Sequence, residues 1–150
     1  MADSEQSTID GSLEAIAETG VDIVPLVYEC YFATTPAALE HFGIAPGDEL
    51  PIWAGHMINE LLLCLISDDE ADLRSRAFAV TTTHCGKGID SGLYRSLCEC
   101  VVQVVADLSG DAFGAAQRQA WGARVDRLMA LVDVELAAEQ AWSRPRPLPA

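Results

Sequence analysis

Apolar residues recur at helical spacing in five stretches of the chain. Val21, Val24, Tyr28 and Phe32 form the first stripe, and Trp53, Met57, Leu61, Cys64 and Leu65 the second. Leu73, Ala77, Val80 and His84 form the third, Tyr94, Cys98, Val101, Val105 and Leu108 the fourth. Trp121, Val125, Leu128, Val132 and Leu136 complete the set. Steps of three and four residues put such positions on one face of a helix, which must then be buried against another element. A shorter helix is expected before them, from about Thr8 to Thr19. The Val-rich patch at 101–105 lies inside a longer helical pattern and reads as helix.

Proline and glycine punctuate the pattern at Pro36, at 43–51, at 86–92 and at 109–114. Pro36 suits the first turn of a short helix ending near Phe42. Ser109-Gly110-Asp111 is a short break between the last two long stripes, which implies antiparallel neighbours. The expectation is an all-α domain of six to eight helices over residues 1–142. Residues 143–150 are Pro-rich and expected to be a disordered tail. A four-helix bundle would satisfy the same periodicity.

Composition narrows the function classes. The chain has 150 residues, enough for one domain with a real core, and half of them are hydrophobic. Nine basic residues stand against 23 acidic ones, a net charge of −14. Neither phosphate neutralisation nor docking on an anionic membrane is expected from that balance. The acidic start Met1-Ala2-Asp3-Ser4-Glu5 lacks the features of a signal peptide, and the run Leu61 to Ile66 is too short to cross a bilayer. A cytoplasmic location is therefore expected. The five cysteines, Cys30, Cys64, Cys85, Cys98 and Cys100, contain no Cys-x-x-Cys pair. They read as free thiols acting as small apolar residues. Cys98 and Cys100 are two apart on a helix and do not face each other.

His84 is the first candidate for chemistry. It closes the third stripe, just before Gly86 and Gly88. An imidazole at a helix end can aim one nitrogen into an apolar slot and bind iron or zinc. The plainer reading is a helix-terminal His placed against the negative end of the dipole. Position alone does not choose between them.

The surrounding residues do. His84-Cys-Gly-Lys-Gly-Ile89-Asp-Ser-Gly-Leu-Tyr94 places an apolar residue five positions and a Tyr ten positions after the His. Ala120-Trp121-Gly122 follows downstream, and Tyr28, Phe32, Pro36 and Phe42 stand upstream in ungapped order. With these landmarks, roughly residues 10 to 140 resemble bacterial single-domain globins, which are similar to the globin domain of flavohaemoglobins. The resemblance implies a globin-like fold and haem b as cofactor, with His84 as the metal ligand. It implies that Phe42 wedges the haem and that Val80 and Ile89 belong to the same pocket. It assigns Tyr28 to the distal side, its hydroxyl directed at a bound diatomic. Tyr31 competes for that role, and a core Tyr bonded to backbone is the alternative. Tyr94 would bond the second imidazole nitrogen and make the ligand more electron-donating. Glu135 is the candidate partner of Tyr94, one position short of the family spacing from Trp121. Otherwise it is a solvated flank charge.

The distal wall departs from the family. Where a Gln is usual, the chain reads Pro51-Ile-Trp53-Ala-Gly-His56-Met57-Ile58. Ile52, Trp53 or Ala54 fills the Gln site depending on register, with Met57 or Ile58 as its apolar partner. Trp53 would restrict access and offer an N–H. His56 lies at the edge of that face, either as a surface residue or as a ligand from the distal side. The resemblance implies binding of O2, NO or CO, and with Tyr28, Tyr94 and Glu135 it extends to NO dioxygenation. That reaction is expected to need a separate reductase, because no reductase domain follows the last helix. The alternative is a globin-fold sensor or interaction module without catalysis, working through a signalling partner and in some relatives without haem.

Overall fold

The computed structural model describes residues 2–45 and 47–144. Among them are seven α-helices and no strand. They are α1 (Ala2–Thr19), α2 (Ile23–Thr34), α3 (Ala37–Phe42), α4 (Ile52–Ile66), α5 (Glu70–Thr83), α6 (Ser91–Ser109) and α7 (Ala115–Ser143), with a single 3-10 turn at Gly110–Ala112. The chain is thus all-α. Within the expected tail, Ser143 still belongs to α7, and 145–150 lie outside the described residues. None of the described helices is long and apolar enough to cross a membrane.

Local chemistry explains the helix starts. Asp22, Asp69 and Asp90 each sit at an N-cap in extended conformation and accept from a backbone N–H one turn in. Asp69 takes two, from Ala71 at 2.8 Å and Asp72 at 3.1 Å. A carboxylate there satisfies orphan donors and complements the positive end of the helix dipole. Pro51 occupies the N-cap of α4, where its missing N–H costs nothing.

The first helix begins at Ala2, about six residues earlier than its sequence pattern predicts. The reason is tertiary. Glu5 and Gln6 reach the guanidinium of Arg124, which is only 3% exposed on α7. Arg124 Nη1 also donates to Ser67 O at 2.7 Å, just past α4. Arg127 donates to the same carbonyl. These bonds tie α1, α7 and the α4–α5 junction together at one point.

Helices α6 and α7 pack antiparallel, as the short break implies. Ser91 pairs with Asp133 and Arg95 with Asp126, so partners descend along α7 as they ascend along α6. The core lies where α1, α2 and α5 close on this pair. Its largest fully buried side chains include Trp121, Tyr28, Ile9, Ile58, Leu65 and Leu73. Two stripes need correction. Val21 is 44% exposed, and α2 buries Val27, Tyr28 and Tyr31 instead. Helix α5 buries Leu73, Ala77 and Thr81, while Val80 and His84 turn toward a cavity.

Candidate functional site

His84 forms the C-cap of α5, with φ −101° and ψ 6°. Its Nδ1 lies 2.7 Å from the carbonyl of Val80, one turn back. A carbonyl can only accept, so Nδ1 carries the proton and donates. In the neutral ring this leaves Nε2 with a free lone pair, the form in which imidazole binds metals. The chain then turns through Gly86 and Gly88, at φ 73° and 70°. Only glycine adopts these left-handed angles freely, and the turn brings Ile89 back beside His84. A Cβ at Gly86 would meet nothing within 4 Å, so its cost is purely conformational. Gly86→Ala is expected to destabilise the fold by about 1–2 kcal/mol. Denaturant unfolding checks this, and an unchanged midpoint would refute the stated backbone requirement.

A cavity of about 1060 Å³ opens in front of His84, between α3, α4, α5 and the 84–89 turn. Phe42, Trp53, His56, Met57, Val80, His84 and Ile89 all line it. Trp53 stacks on Phe42 with ring centroids 5.5 Å apart and planes 26° apart, which makes a flat aromatic wall. Phe42 is held in turn by edge contacts to Tyr28, Tyr31 and Phe32. The rim is charged. Glu40, Glu60, Asp72, Arg76 and Lys87 border it, and Arg76 bonds Asp72 at 2.8 Å and Glu60 at 2.9 Å. A smaller space of about 80 Å³ shares Phe42, Met57, Val80, His84 and Ile89 and extends to Tyr31 and Tyr94.

The tyrosines named from the sequence have defined surroundings. Tyr28 is 1% exposed, and its hydroxyl donates to Ala54 O at 2.8 Å. It lines neither cavity, because an unpaired phenol in the core would be costly and the α4 backbone offers an acceptor. Burial, then the neighbouring Tyr31, raise its pKa far above the usual tyrosine value. Tyr31 lines the smaller space, but its hydroxyl donates to Leu93 O at 3.1 Å. Tyr94 packs edge-on against His84 at 5.9 Å, yet it does not bond the imidazole, whose Nδ1 is taken by Val80. The Tyr94 hydroxyl is buried without a partner among the described residues. Burial, then the Glu139 carboxylate, push its pKa up to about 12. Glu135 is half-buried on α7 and lines neither cavity.

The sequence reading missed His41, Arg76 and Lys87. Its signal was nevertheless present: Asp72, Ser75, Arg76, Ala79, Val80 and Thr83 recur at helical spacing and all line the cavity. This second face of α5 is mostly polar, so an apolar-stripe search passes over it. All three histidines, His41, His56 and His84, border the same cavity. Even so, no group of three or more His, Cys, Asp or Glu among the described residues is placed to hold a metal ion. No protein-family model matches the chain, and no curated protein matches it.

Proposed function

We propose that the chain is a globin-like haem protein that binds a diatomic gas, in which the α4–α5 cavity would hold haem b and His84 Nε2 would bind its iron. The observation that carries this is the bond from His84 Nδ1 to Val80 O at the cavity wall. It fixes the tautomer and the ring orientation, as outer partners of metal-binding histidines do. The cavity is large enough for a cofactor. The stack of Phe42 and Trp53 suits a flat aromatic macrocycle. Lys87 at the rim suits its carboxylates. One protein nitrogen suffices where a tetrapyrrole brings four of its own, which fits a site without a multi-residue metal cluster. When bound, haem supplies an iron that takes O2, NO or CO.

The residues themselves favour carrying or sensing over NO dioxygenation. A phenol donor facing the bound gas would stabilise its partial negative charge. Here Tyr28 gives its proton to Ala54 O, and Trp53, His56 and Met57 face the cavity from α4 instead. Tyr94 touches the edge of the His84 ring without bonding it, so it fixes the ring's position by packing.

Hemin titration of the purified chain tests the reading. One equivalent should bind and give a strong Soret band. A protein that stays colourless would exclude haem and leave the interaction-module alternative. Mixing the reduced, oxygen-equilibrated protein with NO separates the finer alternatives. A stable nitrosyl spectrum supports a carrier or sensor, and rapid nitrate formation supports dioxygenation with an external reductase.

A further inference from the structure

Cys30 on α2 and Cys100 on α6 meet across their helix interface with Sγ atoms 3.0 Å apart. Thr34, one turn after Cys30, places its Oγ1 3.5 Å from Cys100 Sγ. Cys100 is 4% exposed, whereas Cys30 is half-buried at the surface end of the pair. Among the described residues, no other cysteine has a second sulfur within hydrogen-bonding distance. The solvent-reachable sulfur therefore has a buried partner in place.

We propose that Cys30 and Cys100 are a disulfide-forming pair that staples α2 to α6 under a peroxide-class oxidant. The Cys30 thiolate attacks one peroxide oxygen, the O–O bond breaks, and Cys30 sulfenic acid and water result. The Cys100 sulfur then attacks the sulfenic sulfur, the S–S bond forms, and the hydroxyl leaves as a second water with the Cys100 proton. The two thiols lose two electrons, and one peroxide becomes two waters.

The reaction is slow by construction. Burial, then the contact with Cys100, and then the Asp107 carboxylate push the Cys30 thiol well above the usual cysteine value. Thiolate is scarce at neutral pH, so the bridge sets under sustained oxidation rather than on brief exposure. It ties together α2, which carries the Tyr28 and Tyr31 rings behind Phe42, and α6, which carries Tyr94. The staple thereby locks the back of the cavity. A link across 70 residues also restricts the unfolded chain.

The test treats the full-length reduced protein with hydrogen peroxide for hours, alkylates the remaining thiols and maps peptides without reductant. The expected result is a 30–100 crosslink, two fewer free thiols and a melting temperature about 10 °C higher, reversed by dithiothreitol. C30S should abolish the crosslink, and C98S should retain it. Linkage through Cys64 or Cys98, or between two chains, would overturn the proposal. So would oxidation of exposed Cys85 with Cys30 and Cys100 both still alkylated.

Discussion

His84→Ala is expected to weaken hemin binding by at least about 100-fold, because even outer partners of metal-binding histidines are worth 10–100-fold. The prediction rests on a division of labour at the end of α5. Val80 O holds Nδ1, and the cavity is left facing a ring whose Nε2 is unprotonated. Alanine removes the ring and its bond to Val80 O but leaves the backbone His84 N–H bond to Thr81 O at 3.1 Å. The variant should therefore keep its helical circular dichroism and lose only about 1–6 °C in melting temperature, for the Val80 bond, while losing hemin. The Soret titration midpoint is the measurement. An unchanged midpoint and band shape would show that another group holds the iron, with His56 and His41 as the nearest alternatives on the same cavity.

The largest stability effect is expected at Arg124, far from His84 in sequence. Its guanidinium is almost fully buried and serves Glu5, Gln6, Ile66 O and Ser67 O at once. Arg124→Ala removes every one of these donors and leaves the Glu5 carboxylate without its partner. Breaking a buried pair by deleting one member costs about 3–5 kcal/mol. The Glu5 side chain is 36% exposed and can rehydrate, and Arg127 still donates to Ser67 O, so the low end applies. About 3 kcal/mol corresponds to a melting temperature lower by about 6–12 °C for a chain of this size. Thermal unfolding by circular dichroism checks it, and a shift under about 2 °C would contradict the clamp. The consequence reaches the site because Ser67 caps α4. That helix carries Trp53, His56 and Met57 on the cavity wall.

These two residues also show what could be read from the chain itself. His84 stood out because it ended an apolar stripe just before two glycines, at a break in the helical pattern. In the structure Gly86 and Gly88 are both left-handed there and turn the chain back. Trp53, Met57 and Val80 were legible as apolar positions at helical spacing, whereas Phe42 and Ile89 were named only through the resemblance to bacterial globins. Arg124 was not legible. It lies inside an apolar helix pattern as an ordinary polar position, and its partners Glu5 and Gln6 are more than a hundred residues away. Only the fold brings them together, and that contact is also why α1 starts earlier than its own pattern indicates.

The tyrosines mark a different limit. The resemblance to bacterial globins implied places for Tyr28 and Tyr94 beside the site, and their rings pack on Phe42 and His84 respectively. Where a hydroxyl points depends on which acceptor the packed backbone presents. Ala54 O captures Tyr28, and Val80 O captures the imidazole nitrogen that Tyr94 was expected to reach. Neither acceptor is a side chain, so residue identities carried no trace of them. The partner of Cys30 was hidden in the same way. Cys98 and Cys100 drew notice as neighbours in sequence, but the contact runs from Cys100 to α2.

The proposal that His84 would bind the haem iron is tested most directly by chemical rescue. His84→Gly opens an imidazole-sized gap between the Val80 carbonyl and the cavity. The account predicts that this variant loses the wild-type Soret spectrum with hemin, and that free imidazole restores it in a saturable way. A His84→Gly protein whose hemin spectrum already matches wild type, with no response to imidazole, would contradict it.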